Sequence, residues 1–410
     1  MWFSKPLGYT HSSSLRAKMS DTMSVLYHLI IPFCVAFMVV LWIFPKVLAV
    51  AKAKNLVDNP DARKLQKQPV PVLGGMAVYF GLTFGFAIAM AFADCAELFP
   101  VFAAMTVMLY VGTIDDISEL SPTVRFVVEI FVVSFMVLVS RCAINDFHGL
   151  FGLEVIPMWV ALPLTIFAAV GIINAINLID GIDGLSSGYC VMACAMFCGM
   201  FYAVGHEAMA IMAAVAAGAM IPFFFHNVFG QTSKMFIGDG GTLVMGTMMA
   251  TFVLQILDSQ SPAAVGCGDH VGLIPFTLAV LSIPVFDTLR VMISRIVRGV
   301  SPFHPDKTHL HHIFLELGCS HPATFVAILS LNTTIVLVWW WMTWQRFSID
   351  AQLWVVVALG LLFTFGLYSF LRYHISRKTR LNTVLCRIGE ASHLERRGIF
   401  RWLRETVDKI

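Results

Sequence analysis

The chain has 410 residues, 58% of them hydrophobic and 13% charged, with a formal net charge of +2 and a mean hydropathy of +0.80. A soluble globular domain carries about 25% charged residues, so this composition excludes one, and the small net charge gives no reason to expect a nucleic-acid partner. A helix needs roughly 20 apolar residues to cross a bilayer, so clustered apolar segments would supply about ten crossings.

In chain order, residues 1–23 read as a short extracytoplasmic segment carrying Lys5, Arg16 and Lys18. Ala49-Val50-Ala51 resembles a signal-peptidase site. The apolar run before it is longer than a signal core, however, and cleavage would strand the basic stretch from Lys52 to Lys67 outside, so the run is read as a retained span. Eleven apolar runs lie near 24–45, 71–93, 98–114, 123–141, 157–179, 185–204, 208–226, 240–258, 271–292, 323–343 and 351–371. Connections after the odd-numbered runs carry the basic residues, the aspartate clusters and most of the loop histidines. On that side lie 22 of the 27 Lys and Arg residues, the exceptions being Lys5, Arg16, Lys18, Arg141 and Arg346. Positive charge stays cytoplasmic. The expectation is an all-α, polytopic helical bundle of about 11 transmembrane helices, with the N-terminus outside and the C-terminus in the cytoplasm.

Residues 24–371 then form a transmembrane catalytic domain and 372–410 a basic cytoplasmic tail. In the tail, Ile399, Leu403 and Ile410 fall near one helical face beside Phe400 and Trp402. That pattern fits an amphipathic helix on an anionic leaflet; a disordered basic tail fits the same composition. The nine cysteines contain no CxxC pair, and Cys190, Cys194 and Cys198, on one helical face, read as packing residues.

Function enters through parity. Four polar segments are each separated by two runs: Gly112-Thr-Ile-Asp-Asp116, Asn174 to Gly184, Phe236-Ile-Gly-Asp-Gly-Gly-Thr242, and Ser301-Pro-Phe-His-Pro-Asp-Lys-Thr-His-Leu-His-His312. Two crossings return a chain to the same side, so Asp115, Asp116, Asp180, Asp183 and Asp239, two asparagines, a glycine-rich turn and a basic, histidine-rich loop gather at one surface. Any one Asp pair could simply cap a helix or mark a turn. Asn174 and Asn177, however, end an apolar run, where an amide is costly unless it binds something. Carboxylates beside amide oxygens suit a hard divalent cation, and Mg²⁺ is commonly held by one or two carboxylates plus substrate phosphates. The turn Gly238-Asp239-Gly240-Gly241-Thr242 opens a helix whose free amides attract anions. His-x-His-His could instead be a zinc cluster or a solvated patch, but Cys319 is poorly spaced to complete a zinc site. With Arg295, Arg298 and Lys307, these imidazoles suit a diphosphate better.

These segments, together with Pro69-Val-Pro-Val-Leu-Gly-Gly75, resemble the polyprenyl-phosphate N-acetylhexosamine-1-phosphate transferases over about residues 50–320. Within that family the chain looks like the WecA-type enzymes. The MraY type has three adjacent histidines, whereas Leu310 interrupts them here. The resemblance implies transfer of a sugar 1-phosphate from a UDP-sugar, UDP-GlcNAc foremost, to undecaprenyl phosphate in the bacterial inner (cytoplasmic) membrane, with release of UMP, as the first membrane step of a surface polysaccharide. Alternatives are another UDP-N-acetylhexosamine or the MraY-type UDP-MurNAc-pentapeptide. By match to the family motifs, Asp239 is the principal Mg²⁺ ligand with Asn177 assisting, Mn²⁺ being the alternative ion. Asp115 is the base that helps expose the lipid phosphate as nucleophile, and Asp116 orients it or touches the metal through water. A two-step route through a phospho-aspartate fits the same residues. Asn174, Asp180 and Asp183 are assigned to the substrate or the loop that holds it, Arg295, His309, His311 and His312 to the diphosphate and sugar, and Lys67 to the lipid phosphate. Partners are therefore the UDP-sugar, undecaprenyl phosphate and membrane lipid, and an apolar surface is compatible with a homodimer. An ion-coupled transporter is the rival class, but it would place its acids near the midplane, commonly in repeated halves. A non-catalytic scaffold for lipid-linked sugars would tolerate loss of Asp115 or Asp239.

Overall fold

The structure, a computed structural model, describes residues 25–59, 68–302, 306–393 and 398–408. The expected segment 1–23, Lys67, Ile410 and the side chain of Ile399 lie outside the described residues. The protein is all-α and polytopic. Its principal helices are α1 (Ile31–Ala53), α2 (Gly74–Ala89), α3 (Phe99–Ser118), α4 (Pro122–Ser140), α5 (Met158–Leu178), α6 (Leu185–Ala203), α7 (Glu207–Phe229) and α8 (Gly238–Ile256). They continue with α9 (Leu273–Val280), α10 (Ser282–Val297), α11 (Leu310–Glu316), α12 (His321–Trp344), α13 (Ile349–Ser376), α14 (Arg380–Ala391) and α15 (Gly398–Val407). Two short strands, β1 (Val57–Asp58) and β2 (Val70–Pro71), pair antiparallel between α1 and α2.

Each of the eleven apolar runs is helical. Eight helices among the described residues are long and apolar enough to cross a membrane, and α9 with α10 would make a ninth if counted as one span. Helix α2 is shorter, with 16 residues. Aromatic side chains such as Trp42, Tyr110, Phe131, Phe167, Trp340 and Trp354 project outward, as a lipid-facing surface requires. Helix α7 is the opposite case: most of its length is buried, so it forms the axis around which α1, α2 and α6 pack.

The run at 271–292 is not one continuous helix. It breaks at Leu281, where α9 and α10 meet at 73°. A break frees backbone groups that lipid cannot satisfy, and one fully buried amide supplies partners. Asn332 Oδ1 accepts from Ser282 Oγ at 3.0 Å and Ile283 N at 3.1 Å, while its Nδ2 donates to Val280 O at 3.0 Å. The Tyr189 hydroxyl donates to Val280 O as well.

Helix ends follow local chemistry. Ser121 accepts from Val124 N at the start of α4 with Pro122 in the first turn, and Ser320 does the same for Ala323 N ahead of Pro322 in α12. The crossing that matters most for the site is made by absent side chains. A Cβ on Gly112 of α3 would overlap the backbone at Asp239 and Gly240, and one on Gly75 would overlap Gly241. Both α2 and α3 therefore meet the first turn of α8 at backbone contact, which brings Asp115 and Asp116 beside Asp239.

Candidate active site

A cavity of about 520 Å³ opens where these helix ends meet, lined by Asp115, Asp116, Asn177, Asp180, Asp183, Lys234, Asp239, His312 and His321 among others. Its walls come from the connections after α1, α3, α5 and α7 and from both ends of the α11–α12 link. Residues more than 200 positions apart in sequence thus share one chamber.

Asp116 holds the turn that presents Asp239. Its two oxygens accept from Asp239 N at 2.9 Å and Gly240 N at 3.2 Å, so it neutralises free amides at the start of α8. Gly238, at φ +71°, supplies the left-handed residue that makes the turn. Asp239 in turn accepts from Asn177 Nδ2 at 2.5 Å, and the same nitrogen reaches Thr242 Oγ1 at 2.7 Å. The Asp239 side chain stays 34% exposed toward the cavity, which leaves it accessible to a ligand. Asp115 accepts from Leu120 N at 2.7 Å.

Two residues of α4 complete this centre. The Arg125 guanidinium lies 3.5 Å from Asp115 Oδ2, 3.7 Å from Asp239 Oδ1 and 3.1 Å from Glu129 Oε1. Glu129 is 1% exposed and also accepts from Asn174 Nδ2. Sequence reasoning missed this pair because both residues sit inside an apolar run. The available signal was their i, i+4 spacing, since ionisable residues within a span pair with each other or serve a site. Asn174 itself does not line the cavity; it braces Glu129.

On the opposite wall, Asp183 Oδ2 takes Lys234 Nζ at 2.6 Å and His321 Nδ1 at 2.8 Å. Burial alone would raise the Asp183 carboxyl, but His321 and Lys234 outweigh it and hold it below the usual carboxylate range. That stability is present above the unfolded carboxyl's pKa of about 4 and is lost as pH falls through the lower folded value. Asp183→Asn is therefore expected to cost about 1–2 kcal/mol at pH 7, with the difference from wild type shrinking below pH 4 in thermal unfolding of the purified protein. Equal loss at both pH values would contradict the pairing. Asp180 faces the cavity, where it is exposed, and accepts from the Ser186 hydroxyl.

The histidine loop divides. His312 lines the cavity; burial first, then the nearby His309 and Lys307, push it down to about 4, so it is neutral near pH 7. His311 packs under the loop after α5, where a Cβ on Gly181 would overlap its ring. Its buried Nε2 has no hydrogen-bond partner among the described residues. His309 and Arg295 do not line the cavity. His309 Nδ1 pairs with Asp287 at 3.0 Å, and Arg290 bonds the same carboxylate at 2.7 Å. Arg295 donates to Pro302 O at 2.6 Å and to Asp306 at 3.0 Å. These contacts fix the loop that carries His312.

No group of three or more His, Cys, Asp and Glu side chains forms a closed metal cage among the described residues. The open donor set is different in kind: the carboxylates of Asp115 and Asp239 and the amide of Asn177 edge a roomy polar cavity, while Arg125, shared with Glu129, is the single guanidinium among them. Carboxylates in this excess over cations favour a further positive charge. The set fits Mg²⁺, which takes one or two carboxylates and completes its shell with waters and phosphate oxygens.

The fold and the cavity together define a helical membrane protein with an acidic chamber at the ends of its helices. The sequence profile of glycosyl transferase family 4 matches residues 98–257, the stretch from α3 through α8 that contains Asp115, Asp116, Asn177, Asp180, Asp183 and Asp239. It is 28% identical over 325 residues to the undecaprenyl-phosphate alpha-N-acetylglucosaminyl 1-phosphate transferase of Escherichia coli strain K12, covering 78% of this chain and 84% of that protein. The probable undecaprenyl-phosphate N-acetylglucosaminyl 1-phosphate transferase of Bacillus subtilis strain 168 is 29% identical over 301 residues, 73% of this chain and 81% of its own. The Yersinia pestis undecaprenyl-phosphate alpha-N-acetylglucosaminyl 1-phosphate transferase is 29% identical over 323 residues, 77% and 84% of the two chains.

Proposed function

We propose that the protein transfers N-acetylglucosamine 1-phosphate from UDP-GlcNAc to undecaprenyl phosphate, releasing UMP, as the first membrane step of a surface polysaccharide. The observation that carries this reading is the convergence of Asp115 and Asp239 on a cavity opening at helix ends, with the Arg125 guanidinium within 3.5 Å and 3.7 Å of the two carboxylates. In such a place a soluble nucleotide-sugar and a lipid headgroup can meet while the lipid tail stays in hydrocarbon. We take the eleven helical runs as eleven crossings, with the cavity facing the cytoplasm of a bacterial inner membrane; the basic residues on that side support the orientation.

In the proposed reaction an oxygen of the lipid phosphate attacks the β-phosphorus of UDP-GlcNAc. The bond from that phosphorus to the oxygen bridging the two phosphates breaks, and its electron pair leaves on UMP. One diphosphate is exchanged for another, so the driving force is small and catalysis consists mainly of positioning and charge neutralisation. Asp115 keeps the attacking phosphate deprotonated and directed, with Arg125 drawing that phosphate toward it. Asp116 acts through the α8 turn, holding Asp239 in place. Asp239, with Asn177, would hold Mg²⁺, which supplies charge stabilisation at the diphosphate when bound. His312 and Lys234 reach the nucleotide-sugar from the opposite wall. His309, His311 and Arg295 support that wall from behind, and Asp180 and Asp183 order the loop that faces it.

The purified protein, given radiolabelled UDP-GlcNAc and undecaprenyl phosphate, is expected to move the sugar label into a butanol-extractable lipid. EDTA and tunicamycin should block the transfer, and added Mg²⁺ should reverse the EDTA effect. Label that remains aqueous with Mg²⁺ present would overturn the proposal, and a panel of UDP-sugars would separate GlcNAc from its epimers and from UDP-MurNAc-pentapeptide.

A further inference from the structure

The segment beyond α13 makes contacts that the chemistry above does not use. Helix α15 docks on the end of α7: Val407 is 6% exposed and packs with Val228 and Phe229, and the Phe229 and Phe400 rings lie 5.9 Å apart. The docking carries Asp408 over the turn that follows α7. There its carboxylate accepts from Gln231 N at 3.0 Å, Thr232 N at 3.2 Å, Ser233 N at 3.1 Å and Ser233 Oγ at 2.9 Å. Successive backbone N–H groups aimed at one anion form a nest, and here the anion is a side chain from 175 residues away in sequence. The next residue is Lys234, whose ammonium reaches Asp183 on the cavity wall.

We propose that Asp408 is a positioning residue for the cavity: by clamping the 231–233 turn it fixes Lys234 and Asp183, so that the segment beyond the last long helix sets affinity for the nucleotide-sugar. Other contacts point the same way. Lys52 Nζ holds the turn from outside, donating to Thr232 O at 2.7 Å. On the far side of Asp183, helix α14 braces the residue before His321, since Ser320 N donates to Ser392 Oγ and Ser320 Oγ to Ser392 O, both at 3.1 Å. A Cβ at Gly389 would overlap Leu317 O, so α14 lies against the backbone there. Two supports from the same segment thus converge on one carboxylate. The Asp408 carboxyl is held below its usual range, the hydrogen bonds from the turn outweighing its partial burial, in keeping with a clamp that stays charged.

The inference rests on the proposed transferase reading, and its test separates the two. In the full-length purified protein, Asp408→Ala is expected to raise KM for UDP-GlcNAc roughly tenfold, with kcat and the KM for undecaprenyl phosphate within about twofold. Hydrogen exchange at amides 231–233 should accelerate in parallel. Asp408→Asn, which keeps an acceptor oxygen without the charge, should fall between the two and serves if the alanine variant does not fold. Arg401→Ala, which removes an exposed pair with Glu405 on the same helix, should match wild type. Unchanged KM, or unchanged exchange at 231–233, in a folded Asp408 variant overturns the proposal. So does an equal fall in turnover with both substrates and no change in KM. If wild type shows no transfer at all, the transferase reading fails, while the exchange data still decide whether Asp408 holds the turn.

Discussion

Asp239→Asn is expected to lower turnover about 100- to 1000-fold while leaving the protein folded. The substitution keeps the shape of the side chain, and its remaining oxygen still accepts from Asn177, whose Nδ2 bonds Asp239 at 2.5 Å. The turn itself is held through the backbone N–H groups of residues 239 and 240 and the Asp116 carboxylate, which the change does not touch. What is lost is one negative charge at the point where a cation and a diphosphate would meet. Release of UMP should fall, and the Mg²⁺ concentration giving half-maximal rate should rise, with the thermal unfolding midpoint close to wild type. Near-normal turnover would contradict the role given to Asp239.

Arg125→Ala has the largest expected effect on stability. Glu129 is 1% exposed, and with Arg125 gone the hydrogen bond it keeps among the described residues is the one from the Asn174 amide. Breaking a buried pair by removing one partner costs about 3–5 kcal/mol, because the other charge is left uncompensated. The double substitution Arg125→Met with Glu129→Gln should recover most of that loss, since the neutral amide keeps the hydrogen bond with Asn174. Activity should not recover: Arg125 also lies within 3.7 Å of Asp239 and 3.5 Å of Asp115. Thermal unfolding of the two variants, followed by transfer assays on both, distinguishes the effects. A single variant as stable as wild type would contradict the network, and an active double variant would contradict the placement of Arg125 at the reacting phosphates.

Much of the architecture was legible because lipid imposes a simple rule on sequence. Each apolar run is helical, the run at 271–292 as two helices, and Asp115, Asp116, Asn177, Asp180, Asp183, Asp239 and His312, which sequence reasoning placed on one side, line one cavity. Side-chain direction was not legible. His309, His311 and His312 look alike in sequence, yet one pairs with Asp287, one is buried against Gly181 and one faces the cavity. Their difference arises from the turn into α11 and from Asp287, a buried acid that hydropathy reads as a minor interruption of a span. Arg125 and Glu129 were hidden for the same reason. The break at Leu281 was invisible because its backbone partners come from Asn332, 49 residues beyond Ile283. Asp408 could not be found by pattern at all, since its role exists only once α15 rests on α7.

The most direct measurement of the central claim follows the phosphorus rather than the sugar. With UDP-GlcNAc labelled at its β-phosphate and undecaprenyl phosphate as acceptor, the label should enter the lipid in a one-to-one ratio with UMP released. Label recovered in free UDP, with unlabelled sugar joined to the lipid, would mean that the glycosidic bond rather than the diphosphate bond is broken, and would contradict the account.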